Sequence, residues 1–61
     1  MKRNKFIKHL NDNNCILHRN GSKHDVFINI LTKKKTTVPR HADVDDLLCD
    51  TICKQLSIPK P

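Results

Sequence analysis

The dipeptide Asn20-Gly21 constrains the fold of this chain more than any other feature. Short stretches of β-forming residues lie on both sides of it, at residues 15–19 and 22–31. Asn-Gly between two such stretches predicts a hairpin with a type I′ turn, because that turn needs a positive φ at both central residues. The sequence therefore predicts two adjacent antiparallel strands, with His24 near the start of the second.

Hydrophobic periodicity predicts a helix before the strands. Residues 2–12 place Phe6, Ile7 and Leu10 on one stripe. The asparagine-rich run at residues 11–14 is expected to end this helix, because asparagine tolerates the left-handed conformation found at helix ends.

A second helix is predicted near the end of the chain. Its apolar positions recur at helical spacing, at Val44, Leu47, Leu48, Thr51, Ile52 and Leu56. Asp43 is predicted to cap this helix. Asp45 and Asp46 then fall in its first turn, where the helix dipole favours negative charge.

A third strand over residues 35–38, ended by Pro39, completes the predicted order of helix, three antiparallel strands and helix. We predict an α+β fold in which both helices pack on one face of the sheet, within a single domain over residues 1–61. The sequence alone leaves open which face of the second strand meets the core. Val26 and its neighbours two residues apart share the face of His24, and Phe27 lies on the other.

Size and composition limit what the chain can bind. It has 61 residues, two phenylalanines and no tryptophan or tyrosine, so isoleucine, leucine and valine must supply most of the core. A chain this short has no room for a deep enclosed pocket beside a core. We therefore expect no large organic cofactor, and a substrate that binds in a shallow groove.

The charge is unevenly distributed. Residues 1–41 contain ten lysines and arginines against two aspartates, a balance of +8, whereas residues 42–61 carry a balance of −2. A basic half favours a nucleic acid as the first partner to consider. A lysine-rich surface without any ligand is the alternative reading of charge alone.

The three cysteines are best interpreted as small buried hydrophobes. A zinc site using Cys15, His18, Cys49 and Cys53 is the alternative, but Cys49 and Cys53 lie one turn apart on a predicted helix and lack the turn residues typical of structural zinc knuckles. We therefore predict no metal. No signal peptide is visible and no apolar run approaches the roughly 20 residues of a membrane span. A cytoplasmic protein without a membrane partner is the expectation.

His24 is the candidate catalytic residue, because it follows a tight turn in the basic half and imidazole titrates near neutral pH. As a general base it would remove the proton from a ribose 2′-hydroxyl, which then attacks the adjacent phosphate. Lys23 or Arg40 would stabilise the charge on the phosphate oxygens, and Ser22 would donate a hydrogen bond. An ordinary surface histidine is the competing interpretation.

Several other residues are weaker candidates for RNA contacts. His41, at the junction into the last helix, is a second acid–base group, a phosphate contact or a loop histidine. Lys34 and Lys35, in the predicted second turn, would reach a phosphate backbone or remain solvated. No aromatic ladder is present, so recognition by base stacking has little to work with.

These elements, taken in order, resemble the HicA-type mRNA interferase toxins of bacterial and archaeal toxin–antitoxin pairs over roughly residues 3–58. Residues 21–24 (Gly-Ser-Lys-His) match the family's G-S-x-H, and residues 38–41 (Val-Pro-Arg-His) follow at the right distance. Residues 52–58 resemble the family's I-x-K-Q-x-x-[IL]. Leu-Leu-Cys-Asp at residues 47–50 departs from the family's small and basic stretch.

The resemblance implies an α-β-β-β-α fold like that of the double-stranded RNA-binding domain. It implies metal-independent cleavage of mRNA with His24 in the family's catalytic position, and neutralisation by a cognate HicB-like antitoxin that covers the active face. Two rival hypotheses remain. The first is a non-catalytic RNA-binding module of the same fold, and the second is an interaction protein whose basic face meets an acidic partner.

Overall fold

The structure, a computed structural model, describes all 61 residues. Its elements follow in the order α1 (Arg3–Asp12), β1 (Cys15–Asn20), β2 (His24–Asn29), β3 (Lys35–Pro39) and α2 (Asp46–Gln55). The predicted α-β-β-β-α order and the α+β class are confirmed, and the fold is of the double-stranded RNA-binding-domain type. No helix in it combines the length and the hydrophobicity that crossing a bilayer requires.

The three strands form one antiparallel sheet in the order β1-β2-β3. Alternate residues of β2 point to opposite faces, and Phe27 and Asn29 are buried whereas His24 is exposed. The face that meets the helices is therefore the one with Asp25, Phe27 and Asn29. His24 lies on the face that no helix covers.

One cluster of ten buried apolar residues joins the helices to the sheet. Phe6 and Leu10 enter it from α1, and Phe27 and Val38 enter it from the sheet. All three cysteines belong to the same cluster, which confirms their interpretation as small buried hydrophobes.

The predicted apolar stripe of α2 is partly wrong. Leu47 and Leu48 are 76% and 40% exposed, whereas Cys49 and Cys53 are almost fully buried beside Ile52. Positions 49, 52 and 53 also follow helical spacing, so the buried face is rotated from the leucine pair toward the cysteines. On this buried face of α2, cysteine packs as a small hydrophobe.

The predicted cap of α2 is also wrong. The N-cap is Asp45, whose carboxylate accepts hydrogen bonds from the backbone amides of Leu47 at 3.1 Å and Leu48 at 3.4 Å. Asp43 instead lies beside Lys2, with 3.5 Å between Nζ and Oδ1 and an isolated β-bridge between the two backbones. That bridge ties the start of α1 to the connection between β3 and α2.

Asn29 organises the turn between β2 and β3, a role that its sequence context does not reveal. It is the buried polar residue of the fold. Its Oδ1 accepts hydrogen bonds from the amides of Leu31 and Thr32, and its Nδ2 donates to the carbonyl of Leu56 at 2.8 Å. Lys33, with φ of 67°, supplies the left-handed residue of a turn that has no glycine.

Substitutions at two leucines separate the observed core from the predicted stripe. We expect Leu56→Ala to lower the free energy of unfolding by about 2–5 kcal/mol, because it removes a fully buried side chain. We expect Leu47→Ala to change it by less than about 0.5 kcal/mol, because that side chain already faces solvent. Urea denaturation measures both values, and equal losses would contradict the observed orientation of α2.

Truncation of Asn29 tests the polar link between the second turn and the end of α2. We expect Asn29→Ala to cost about 1–3 kcal/mol of unfolding free energy, because it leaves the Leu56 carbonyl without its donor in a buried place. Asn11→Ala, at an exposed position of α1, is the matched control for urea denaturation. An Asn29 variant as stable as the control would show that the link contributes nothing.

Candidate functional site

A three-residue loop, Gly21 to Lys23, joins β1 to β2. The predicted hairpin is confirmed, but the predicted type I′ turn is wrong, because neither Asn20 nor Gly21 has a positive φ. The amide of Gly21 instead donates to the carbonyl of His24 at 2.8 Å, which closes the loop around Ser22 and Lys23. His24 is thus the first residue of β2.

Gly21 is needed for a close approach rather than for a left-handed conformation. A Cβ atom at this position would lie closer to the His24 carbonyl oxygen than real Cβ atoms come to their neighbours. Backbone atoms cannot move away as a flexible side chain would. The absence of a side chain at Gly21 therefore sets the path of the loop and the position of His24.

The exposed face of this hairpin contains a shallow depression of about 270 Å³. Its lining consists of the loop and neighbouring strand residues: Arg19, Gly21, Ser22, Lys23, His24, Val26 and Thr37. Three of the predicted site residues, Ser22, Lys23 and His24, are brought together here. The lining holds two cations and one imidazole, with no carboxylate.

Arg19 lies in this depression although sequence reasoning did not single it out. It pairs with Val26 across the β1–β2 ladder, after an irregularity between Leu17 and Arg19 that leaves His18 without a partner in the register. An extra residue of this kind changes which face of the sheet the following side chains point to. Only the register shows that Arg19 shares the open face with His24.

Arg40 binds the backbone of the loop and does not line the depression. Its guanidinium donates to the carbonyl oxygens of Gly21 and Ser22, the latter at 3.3 Å, and its Nε donates to Asp25 at 2.9 Å. Most of the five N–H donors of this side chain are therefore already used within the protein.

The other predicted RNA-binding residues lie elsewhere. Lys35 pairs with Ile28, four residues along β2 from His24, so its backbone lies about 13 Å along the strands from His24 at a rise of about 3.3 Å per residue, and it does not line the depression. Lys34 lies at the same end and donates to the hydroxyl of Ser57 at 2.8 Å. His41 is exposed in the connection after β3 and does not line the depression.

Asp25 holds two arginines together on the opposite face of β2. Arg3 of α1 donates to its Oδ2 at 2.9 Å, and Arg40 donates to its Oδ1. The hydrogen bond from Arg40, helped by the charge of Arg3, holds the pKa of Asp25 below its ordinary value. Sequence reasoning missed this pair. The available signal was a lone aspartate next to the candidate histidine within a basic segment.

The cysteines do not provide a second reactive group. Burial raises the pKa of Cys15 and Cys49, and it raises the pKa of Cys53 to about 11. A thiol with a raised pKa stays protonated near neutral pH and is a poor nucleophile. The alternative zinc set is not assembled either, since no three His, Cys, Asp or Glu side chains form a group that could hold a metal ion.

One comparison with known proteins identifies a family. A family model described as HicA toxin of bacterial toxin–antitoxin matches residues 3–58. Comparisons with curated proteins and with solved structures gave no match. The match spans almost all of the chain, including both helices, the three strands and the loop that carries His24. The chain therefore belongs to the HicA toxin family, whose members are mRNA-cleaving toxins held in check by a cognate antitoxin.

Proposed function

We propose that this protein is an endoribonuclease toxin that cleaves mRNA with His24 as its acid–base residue. One observation carries the proposal: an exposed imidazole lies in a cationic depression on the open face of the sheet, within the segment matched to the family. Imidazole accepts and releases protons near neutral pH. An RNA strand has unobstructed access to this face, since both helices pack on the other one.

The proposed reaction needs no covalent enzyme intermediate. His24 removes the proton of a ribose 2′-hydroxyl, and the 2′-oxygen forms a bond to the adjacent phosphorus. The bond between phosphorus and the 5′-oxygen breaks, and that oxygen leaves as a hydroxyl with a proton from the solvent in the open depression. The products are a 2′,3′-cyclic phosphate and a 5′-hydroxyl end.

Lys23 and Arg19 are the proposed phosphate ligands beside His24. Both line the depression, and neither forms an ion pair within the protein. Their charges oppose the negative charge that develops on the phosphate oxygens during attack. Ser22 contributes a hydroxyl donor at the same place. Lys34 and Lys35 would contact the RNA backbone farther along the sheet, where the β2–β3 turn lies.

The composition of the depression also supports the metal-independent mechanism. Magnesium and similar ions prefer oxygen ligands, chiefly carboxylates. The lining of the depression has no carboxylate. The nearest acid in sequence, Asp25, faces the helices and already binds two arginines. Cleavage in the presence of EDTA is the expected behaviour.

We infer that the antitoxin partner is of the HicB type and that it covers the His24 depression. Family membership supports a cognate antitoxin. Exposed aliphatic residues on the open face, such as Ile16, offer apolar contact beside the cations. A cytoplasmic location fits a chain with three free thiols and an mRNA substrate.

Substitution of His24 tests the catalytic assignment. We expect His24→Ala to lower the cleavage rate of purified protein on an RNA oligonucleotide by about 10²–10⁴-fold, because it removes the acid–base group. Cells that express wild type should stop growing, whereas cells that express the variant should not. His18→Ala, an exposed histidine of β1, is the matched control and should retain activity.

The outcome also separates the rival functions. Equal activity of the His24 variant and wild type would contradict the assignment. Salt-dependent RNA binding by wild-type protein without any cleavage would identify the non-catalytic RNA-binding module instead. Binding to an acidic protein with no measurable affinity for RNA would identify the interaction protein.

A further inference from the structure

Asp25 lies at the centre of the contacts that hold the loop between β1 and β2, Gly21 to Lys23, in place. It is the one acidic residue between Cys15 and Asn29, and its side chain is only 14% exposed. Because it follows His24 along β2, its side chain points to the helix face while that of His24 points to the open face. Asp25 therefore cannot touch a substrate bound in the depression.

The carboxylate joins three separate parts of the chain. Arg3 of α1 lies 2.9 Å from Oδ2, and Arg40, which follows β3, lies 2.8 Å from Oδ1. Arg3 also donates through Nε to the carbonyl of Pro39 at 2.8 Å, and Pro39 is the β3 partner of His24. Both guanidiniums are thus fixed in orientation by one anion.

Arg40, which Asp25 holds in a fixed orientation, also binds the backbone of the loop. The guanidinium that binds Asp25 also donates to the carbonyls of Gly21 and Ser22, the two residues that precede Lys23. Arginine is suited to such a link, because its planar fork presents several donors in fixed directions. Without the carboxylate, two arginines would face each other in a segment that is already strongly basic, and their repulsion would push Arg40 away from the loop.

We propose that Asp25 is a positioning residue for the cleavage reaction, acting through Arg40 to fix the loop that presents Lys23 and His24. The proposal rests on the proposed function, since it assumes that His24 is the reacting group. It also assigns Arg40 to the loop rather than to the substrate phosphate. A misplacement of about 1 Å in a reacting group costs on the order of 10²-fold in rate.

The test compares Asp25→Asn with Asp12→Asn. Asp12 is a matched control, because it pairs with Lys8 at 2.9 Å on the exposed side of α1, and neither residue lines the depression. We expect Asp25→Asn to lower kcat on an RNA oligonucleotide by about 10–100-fold, because the loop that presents Lys23 and His24 shifts, with a smaller change in KM because Arg19 of β1 stays in place. Circular dichroism at the assay temperature measures the folded fraction of each variant.

A second variant keeps the positive charge at position 40 but removes the planar guanidinium group. Arg40→Lys retains a cation beside Asp25 but cannot bind the carboxylate and both loop carbonyls together. We expect a loss of kcat similar to that of Asp25→Asn. If the two residues act through one loop, the double variant should lose little more than either single variant, whereas independent effects would multiply.

Amide hydrogen exchange at Gly21 gives a readout that does not depend on activity. Its amide closes the loop onto the His24 carbonyl, so it should exchange faster in Asp25→Asn than in Asp12→Asn. Absence of RNA cleavage by wild-type protein would refute the proposed function. Unchanged exchange at Gly21 in Asp25→Asn would overturn the present proposal, whether or not wild-type protein cleaves RNA. The proposal is also overturned if exchange accelerates while kcat stays at the wild-type value, or if the kcat loss equals the loss of folded protein.

Discussion

The core of this chain contains ten apolar side chains, three of them cysteines, and they cover only one face of the three-stranded sheet. A chain of this size buries a smaller share of its surface than a larger domain does, roughly 60%, and it has too few apolar residues to cover the second face of the sheet as well. Both helices and the buried residues of each strand gather on the covered side. The other side of the sheet remains accessible, and the proposed chemistry takes place there.

Because adjacent residues of a strand point to opposite faces of the sheet, His24 and Asp25 serve two different proposed roles. His24 falls on the open face, in the depression with Lys23, and Asp25 falls on the helix face between two arginines. The proposed proton transfer and the proposed positioning of its loop are thus assigned to neighbouring positions of one strand. A shift of one residue in the register of β2 would exchange the two side chains and remove both functions.

Sequence reasoning recovered what depends on local pattern. The element order, the first helix and the hairpin before His24 follow from periodicity and turn chemistry. The burial of the cysteines follows from the general behaviour of free cysteine as a small hydrophobe. The rotation of α2 was missed because its leucines dominate the apolar pattern, whereas in the structure Leu47 follows the Asp45 cap closely and faces solvent. The turn at Gly21 was assigned the wrong type because its glycine relieves a contact rather than adopting a positive φ.

Features that depend on tertiary contacts could not be predicted from the sequence. The sequence pairs Arg40 with Lys23 as ligands of the reacting phosphate, but the guanidinium of Arg40 is bound to Asp25 and the loop. Lys34 and Lys35, predicted as weaker RNA contacts, do not line the depression. Arg19 joins the depression only because the β1 ladder is irregular next to it. A lone aspartate in a basic segment was the one sequence signal for the contacts of Arg40, and spacing gave none for the placement of Arg19.

Cleavage of a substrate that lacks one hydroxyl tests the central claim most directly. An RNA oligonucleotide is first cut by wild-type protein to locate the scissile bond, and a second copy then carries a 2′-deoxyribose at the nucleotide on the 5′ side of that bond. The account predicts a 2′,3′-cyclic phosphate from the first substrate and no cut at the modified position of the second. Equal cleavage of both substrates would contradict it, because attack by the 2′-oxygen would then play no part.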